Sequence, residues 1–593
     1  MKNERVIENN SVSSVVTFSV LINGKEAEPE IQFMSISVIR EANRIPTAKI
    51  VVRDGEAAQE DFPVSNKKFF APGTEIEIKA GRDSIEETIF KGIVVKHSIK
   101  IGQQGNGFLK IECKDESVKL VVGRKNAYYE NMSDKEVIKK ILNEQQLKGK
   151  IEDTKGKHKE LIQHHVNDWD FIVCRAEANG KLVLVEDGNV NIEAPTTDGQ
   201  PVLCLIFGST LYEFEAEMDA RYQWKKVKAS SWNYSDQKML NAVSSQVPFQ
   251  EPGNLTGKKL ADVIGLQEFE LRHSGQVLPE ELQAWADASM LKSRLAKVRG
   301  RAKSIGVSKI KPGALVEMKG VGDRFNGIVY ITGVRHELQE GNWYTNAQFG
   351  LGPQWFHEQH ETTARPAAGL LPAIQGLQIG LVEQLHDDPE MDDRVLVKLP
   401  IIDKDAKGIW ARVASLDAGN ERGAFFRPEV NDEVVVGFIN GDPRDAIILG
   451  MLNSKSLPAP LRAQQDNAEK GFVTREKIKL LFNDVDKVVT IETPGNNSAV
   501  ISDSDQSITL KDQHGNKITM DANGITLDSS KDIIMNAKGS IQGTALQSAS
   551  LEGNTGLSLQ SPAGAIDAFG TAGAKLASGA VTELTGAAQV LIY

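Results

Sequence analysis

From Gly524 to Val581 the chain repeats every eight residues, and no other feature limits its fold so tightly. Positions 525, 533, 541, 549, 557, 565, 573 and 581 read Ile, Ile, Ile, Ala, Leu, Ala, Gly and Val. Two places further on stand Leu527, Met535, Gly543, Leu551 and Leu559, and a small or turn-forming residue precedes each pair, from Gly524 and Asp532 to Ala572 and Ala580. Strand side chains alternate between faces, so an even repeat returns the same apolar residues to the same side in every copy. The sequence predicts a ladder of short strands with one narrow apolar face.

That face needs a cover. From Asn536 to the end only Lys538, Glu552, Asp567, Lys575 and Glu583 are charged, and only Phe569 and Tyr593 are aromatic. Repeats of this kind bury their faces by stacking. One chain could close a three-faced rung from three octads, but the repeat unit would then be the rung, with unlike faces. A single-octad unit suits three identical chains wound about one axis. The trimer axis of such a needle is assigned to Ile525, Leu527, Ile533, Met535, Ile541, Leu551, Leu557 and Leu559. The competing reading, an unstructured Gly/Ala/Ser linker, has no reason to keep a fixed even period.

A chain of 593 residues has room for three or more domains. Its net charge of -11 speaks against a nucleic-acid partner. Cys113, Cys174 and Cys204 stand singly in strand-like contexts, without CxxC spacing, and read as buried thiols of a protein made in a reducing compartment. The first residues, MKNERVIENNSVSSVVTF, place charges where a cleaved leader needs its apolar core. No stretch of about 18 apolar residues offers a membrane span. The expectation is synthesis in the cytoplasm and export, if any, by a route other than a cleaved leader.

From Val15 to Leu120 strand follows strand: VVTFSVLING, QFMSISVIRE, PTAKIVVRDG, GTEIEIKAG, TIFKGIVVKHSI and FLKIECKD, with turn signals at Asn23-Gly24 and Asp54-Gly55. This predicts an all-β unit of barrel type. A helix is expected over 133–143, where Ser133 and Glu136 have capping-box spacing and Val137, Ile138, Ile141 and Leu142 form a stripe. A second begins at an Asn or Asp cap near Asn167 and stops at Asn179-Gly180. A third is expected from Pro279 to Val298, and Leu351–Gln375 reads as a linker. From Gly376 to Leu452 five or six short strands parted by Asp-, Gly- and Pro-rich turns predict a small closed barrel, as in an OB-fold.

Two of these stretches carry a resemblance. The order Asp168-Trp169-Asp170-Phe171, Ala176-Glu177, Asn179-Gly180, strand is similar to the hub domain of VgrG-type spike proteins of contractile injection systems, which are themselves similar to the fused hub and spike of contractile phage tails. Phe207-Gly208, Leu211, Phe214, Gly327–Ile331 and Val334–His336 fit the same pattern. Arg394–Pro400, Trp410–Val413, Phe425–Phe438 and Gly441–Arg444 closely resemble the OB domain of the same proteins. The resemblance covers hub, OB domain and needle in order. It implies a mainly β chain with some α+β, divided into a phage-hub-like domain over 1–360 with two β-barrels and α/β insertions, a linker over 361–375, an OB-fold domain over 376–455, a linker over 456–476 and an intertwined trimeric β-helix spike over 477–593. It further implies a homotrimeric hub docked on a hexameric, Hcp-like inner tube and on baseplate proteins, with a needle that meets the target membrane mechanically. The last residues, Gln589, Val590, Leu591, Ile592 and Tyr593, resemble spike ends that receive a PAAR-type tip protein.

Several near-motifs carry no chemistry. His357-Glu358-Gln359-His360-Glu361 sets its histidines three apart, where a zinc-hydrolase helix needs four. Gly253–Lys259 is one residue short of a phosphate loop and lacks the Ser or Thr that would hold magnesium. His164 and His165 are adjacent and point apart, and Asp387, Asp388, Glu390, Asp392 and Asp393 lack calcium-loop spacing. Between Gly376 and Leu452 fifteen acids oppose eight bases, the wrong sign for a strand-binding groove, so Trp410, Phe425 and Phe426 are expected in the core or at a trimer interface. No cofactor, metal or catalytic set is expected. The alternative kept open is a tail-spike adhesin or glycan-acting enzyme, which would need paired carboxylates on the ladder, where Glu552, Asp567 and Glu583 stand alone.

Overall fold

The computed structural model describes residues 14–103, 107–245, 247, 249–403, 405, 407–583 and 585, in two units, Met1–Gly450 and Met451–Tyr593. In the first unit, alternating apolar residues write the strands. Phe33–Glu41 turns Ile36 and Val38 inward, Thr47–Arg53 turns Ala48, Ile50 and Val52, and Gly107–Lys114 turns Leu109, Ile111 and Cys113; all are buried.

Among the described residues thirteen strands share one sheet. Its path runs Glu213–Met218, Val298–Ile305, Asn342–Phe349, Gly327–Gln339, Phe33–Glu41, Thr47–Arg53, Gly107–Lys114, Ile85–Ile101, Glu75–Arg82 and Val16–Ile22, ending at Lys25–Glu26. Strands from both halves of the hub share this one sheet. Phe33–Glu41 pairs with Thr47–Arg53 on one side and with Gly327–Gln339 on the other. Burial explains the join, because Ile36 and Val38 share one core with Leu338 and Trp343.

The helices begin where capping chemistry allows. Ser133 and Glu136 form the expected capping box at the head of Asp134–Glu144, with Ser133 N donating to Glu136 Oε2 at 2.8 Å. Asn167 Oδ1 accepts from the backbone of Asp170 at 2.7 Å and opens Asp168–Ala178, which the chain leaves through Gly180 at φ 65°. Pro279–Leu295 stops short of the expected Val298 because that residue starts the next strand.

The expected small barrel closes with five strands, Gln378–Gln384, Val395–Lys398, Ile409–Val413, Ala446–Met451 and Glu433–Phe438, around Val382, Val397, Ala411, Val436 and Ile448. Gly380 is obligatory, since a Cβ there would lie 2.3 Å from Val397 Cγ1. A sixth stretch that the sequence also offers as a strand, Ala424–Asp432 (AFFRPEVND), does not form one: Pro428 removes a donor, and Phe425 is 82% exposed. Phe425 and Phe426 are therefore surface residues, not core, and Trp410 is half-buried. The stretch 361–375 contains the short turn Pro366–Gly369, and the stretch 456–476 contains a strand, Glu469–Val473, so pairing in the tail starts earlier than expected.

Candidate functional site

Among the described residues the second unit holds seven strands of five residues each, Glu469–Val473, Lys479–Asn483, Val488–Glu492, Ser498–Ser502, Ser507–Lys511, Lys517–Asp521 and Gly524–Asp528, each antiparallel to the next. Short polar side chains build the turns. Asn483 Oδ1 accepts from Val485 N and Asp486 N, Ser502 Oγ accepts from Asp505 N, and Asp512 Oδ1 accepts from His514 N and Asn516 N. Burial works against ionisation of Asp512, but the side chain of Asn516 and the backbone N–H groups of Asn516 and His514 outweigh it and hold the carboxyl below its usual range.

Register then sorts the side chains. One row across the sheet reads Lys470, Phe482, Val489, Ile501, Ile508, Met520, Ile525; the neighbouring row on the same face reads Phe472, Leu480, Ile491, Ala499, Leu510, Ile518, Leu527. All but Lys470 are apolar. Between these rows the opposite face carries Thr490, Thr509, Thr519 and Thr526, with Lys479 and Glu492 paired at 3.2 Å on its border.

Among the described residues this apolar face is left partly open in one chain. Ile491 is 49% exposed, Ile501 52% and Leu527 54%. Among the described residues of the tail unit only Ser502 is buried, so the unit has no apolar core of its own. A contiguous apolar face of this size marks an interaction surface. Lys470 closes the head of one row by turning back to Asn467 O at 2.8 Å and to Asp484.

The sequence placed the axis residues from Ile525 onward. Ile525 and Leu527 lie at the ends of the two rows, and Ile533 lines an open groove together with Ile491, Leu510, Ile518 and Leu527. Met535, Ile541, Leu551, Leu557 and Leu559 are exposed. The expected ladder does not form within one chain: among the described residues no strand follows Asp528. Gln589–Tyr593 lie outside the described residues.

Glu469–Val473 and the four strands from Val488–Glu492 to Lys517–Asp521 escaped the sequence reading, although a signal exists. The pairs Leu480/Phe482, Val489/Ile491, Ala499/Ile501, Ile508/Leu510 and Ile518/Met520 recur at spacings that alternate between nine and ten. A search for one fixed even period passes over them. In an antiparallel meander the alternation is natural, because turns at the two sheet edges differ in length.

The remaining near-motifs resolve into ordinary structure. His357 lies on the four-residue helix Phe356–Gln359, just past whose end His360 faces the Phe356 carbonyl through Nδ1 at 3.1 Å. Thr256 of the would-be phosphate loop caps the helix Gly257–Ile264. Arg394 grips Asp388 through Nη2 at 2.6 Å and, with backbone N–H donors, holds that carboxyl well below its usual range. His164 and His165 sit at the end of the strand His158–Val166. Among the described residues no group of His, Cys, Asp or Glu is arranged to hold a metal, and no helix is long and apolar enough to cross a membrane.

Three stretches of the chain match known families. Residues 12–340 match the family model described as the Alg8 N-terminal domain, which is more than half of the chain. Residues 378–452 match the type VI secretion system/phage-baseplate injector OB domain, and residues 488–550 the phage baseplate V C-terminal trimerisation domain. An injector OB barrel followed by a trimerisation tail defines a spike of VgrG type, and by the match over most of its N-terminal half the chain belongs to the Alg8 N-terminal domain family. Such a spike is trimeric and associates with a baseplate.

Solved structures similar to the chain include a tail protein from Neisseria meningitidis MC58 (15% identity, 57% of this chain and 98% of that one, TM-score 0.42). An E. coli component of the type VI secretion system is 13% identical over 73% of this chain and 99% of its own, with a TM-score of 0.37. The Francisella PdpA-VgrG complex, half-lidded, is 11% identical over 88% and 89%, with a TM-score of 0.38. No curated protein matches.

Proposed function

We propose that the chain is the homotrimeric hub and puncturing spike of a contractile injection system. The observation that carries this reading is the pair of apolar rows on one face of the tail sheet, whose last members, Ile525 and Leu527, are also the first of the octads. Three such faces turned toward one axis bury what a single chain exposes, with Ile525, Leu527, Ile533, Met535, Ile541, Leu551, Leu557 and Leu559 continuing the axis into a thin rod. The hub over 1–360 docks on the hexameric, Hcp-like inner tube, the barrel over 376–455 carries the needle over 477–593, and Gln589–Tyr593 receive a PAAR-type tip. The work is mechanical: contraction drives the tube, and a rod with its backbone groups paired concentrates force on a small area of target membrane. The protein leaves its cell with the particle, catalyses no reaction and needs no cofactor.

The test is reconstitution. Purified chain should sediment as a trimer, bind rings of the inner-tube protein, and release dye from vesicles only within a contracting particle. Trimers that never bind the tube protein would defeat the docking role. Polysaccharide cleavage by the chain would favour the glycan-acting alternative instead.

A further inference from the structure

Three buried polar side chains from distant parts of the hub meet on one oxygen atom. Asn43 follows the strand Phe33–Glu41, Glu177 lies near the end of the helix Asp168–Ala178, and Lys292 lies on Pro279–Leu295. Each is at most 8% exposed. Lys292 Nζ donates to Glu177 Oε1 at 2.8 Å and Asn43 Nδ2 donates to the same oxygen at 3.2 Å, so an amine and an amide are held side by side. Backbone groups fix both ends of the set. Phe356 N donates to Glu177 Oε2 at 2.7 Å, and Val183 N donates to Asn43 Oδ1 at 2.9 Å. Asn43 takes a left-handed φ of 59°, and its own N–H donates to Val183 O. The ring of Trp355 lies 5.2 Å from Lys292 Nζ.

Neither docking nor puncturing calls for this set. A buried ammonium and carboxylate seldom add net stability over apolar side chains of the same volume, and the amide is one more group taken out of water. What the three do supply is every part of an acyl transfer. There is an amine nucleophile, a carboxamide electrophile, a carboxylate in contact with both, and a backbone N–H on the oxygen where negative charge would develop. Holding them in place removes most of the entropic barrier to their reaction.

We propose that Lys292 and Asn43 become joined by an intramolecular isopeptide bond, formed once in each chain with Glu177 as proton shuttle. Glu177 takes a proton from the Lys292 ammonium, and the free amine attacks Asn43 Cγ, which places negative charge on Oδ1 against Val183 N. Glu177 then passes its proton to Nδ2 and takes the next one from Nζ. The Cγ–Nδ2 bond breaks as the carbonyl re-forms, and the departing ammonia carries off the proton left on Glu177. A cavity of about 330 Å³, lined by the three residues together with Arg44 and Gln354, gives the ammonia a way out. No oxidant, cofactor or second substrate enters, and the event does not recur, so the chain acts on itself alone. The bond closes residues 43–292 into a covalent loop and ties the hub sheet to the helix Pro279–Leu295, so that load between them falls on a covalent link instead of an ion pair.

The experiment is mass spectrometry on the denatured full-length chain. The wild type should be lighter than its sequence by one ammonia, about 17 Da. Trypsin should leave the bond after Lys292 uncut and release residues 41–44 joined to residues 273–294. Lys292→Arg, Asn43→Ala and Glu177→Gln should each carry the full mass of its sequence and yield no joined peptide. Complete cutting after Lys292 in the wild type, with residues 41–44 recovered free, overturns the proposal whether or not the variants fold. A link formed to the wild-type extent in Glu177→Gln overturns it as well, since the carboxylate would then have no part in the transfer.

Discussion

The hub and the tail are built from strands of similar composition, yet one is finished by a single chain and the other is not. In the hub, Ile36, Ile50, Ile76 and Leu109 are fully enclosed by their own chain. In the tail, Ile491, Ile508, Leu510 and Ile518 line up as regularly and remain open on one side. The difference is one of layers. The long hub sheet turns back over its own apolar face, whereas seven five-residue strands make a single layer, which cannot bury a face without a second.

The sharpest way to break that comparison is to charge the middle of the tail face. Ile508→Asp should abolish the trimer, because three carboxylates would meet on a dry axis, while the hub keeps its fold. Sedimentation read beside the hub's thermal transition checks both halves. Ile533→Asp or Ile541→Asp should have a smaller effect of the same kind, fraying the rod beyond the sheet. A trimer that still resists SDS after either change would remove those residues from the axis.

The converse substitution lies in the hub. Ile50→Ala should cost about 2–5 kcal/mol of hub stability, the range for truncating an enclosed aliphatic side chain. It should leave the trimer intact, as a urea transition and a sedimentation run on the same sample would show.

Acid should separate the two regions too. Burial, with Arg40 nearby, pushes the imidazole of His336 down from 6.5 to about 3. Between those values the unfolded chain holds a proton that the folded hub excludes. This contribution to hub stability is therefore complete above pH 6.5 and is lost as the pH falls toward 3, at up to about 1.4 kcal/mol per pH unit. His336→Gln should flatten that slope in urea midpoints measured against pH. The smallest effect is expected on the outer tail face, where Thr519→Asp should shift stability by no more than about 0.5 kcal/mol and leave the trimer unchanged.

How much the sequence disclosed follows the same division. The capping box at Ser133, the cap at Asn167 and the small barrel were legible because each is a local pattern with a local cause. The join of Phe33–Glu41 to Gly327–Gln339 was not, since pairing across nearly three hundred residues leaves no local mark. The strand expected at Ala424–Asp432 read as apolar and extended, but Pro428 and exposed Phe425 deny it a ladder. In the tail the octads drew attention to Ile525 and beyond. The alternating nine-and-ten spacing from Leu480 to Met520 hid an apolar face of the same kind, in the part of the tail where the strands are paired.

That only Ser502 is buried throughout the described tail bears on how the protein comes into being. For such a segment folding and oligomerisation are one event, governed by how many sister polypeptides are at hand rather than by the stability of any one of them. A copy without companions carries an exposed apolar flank.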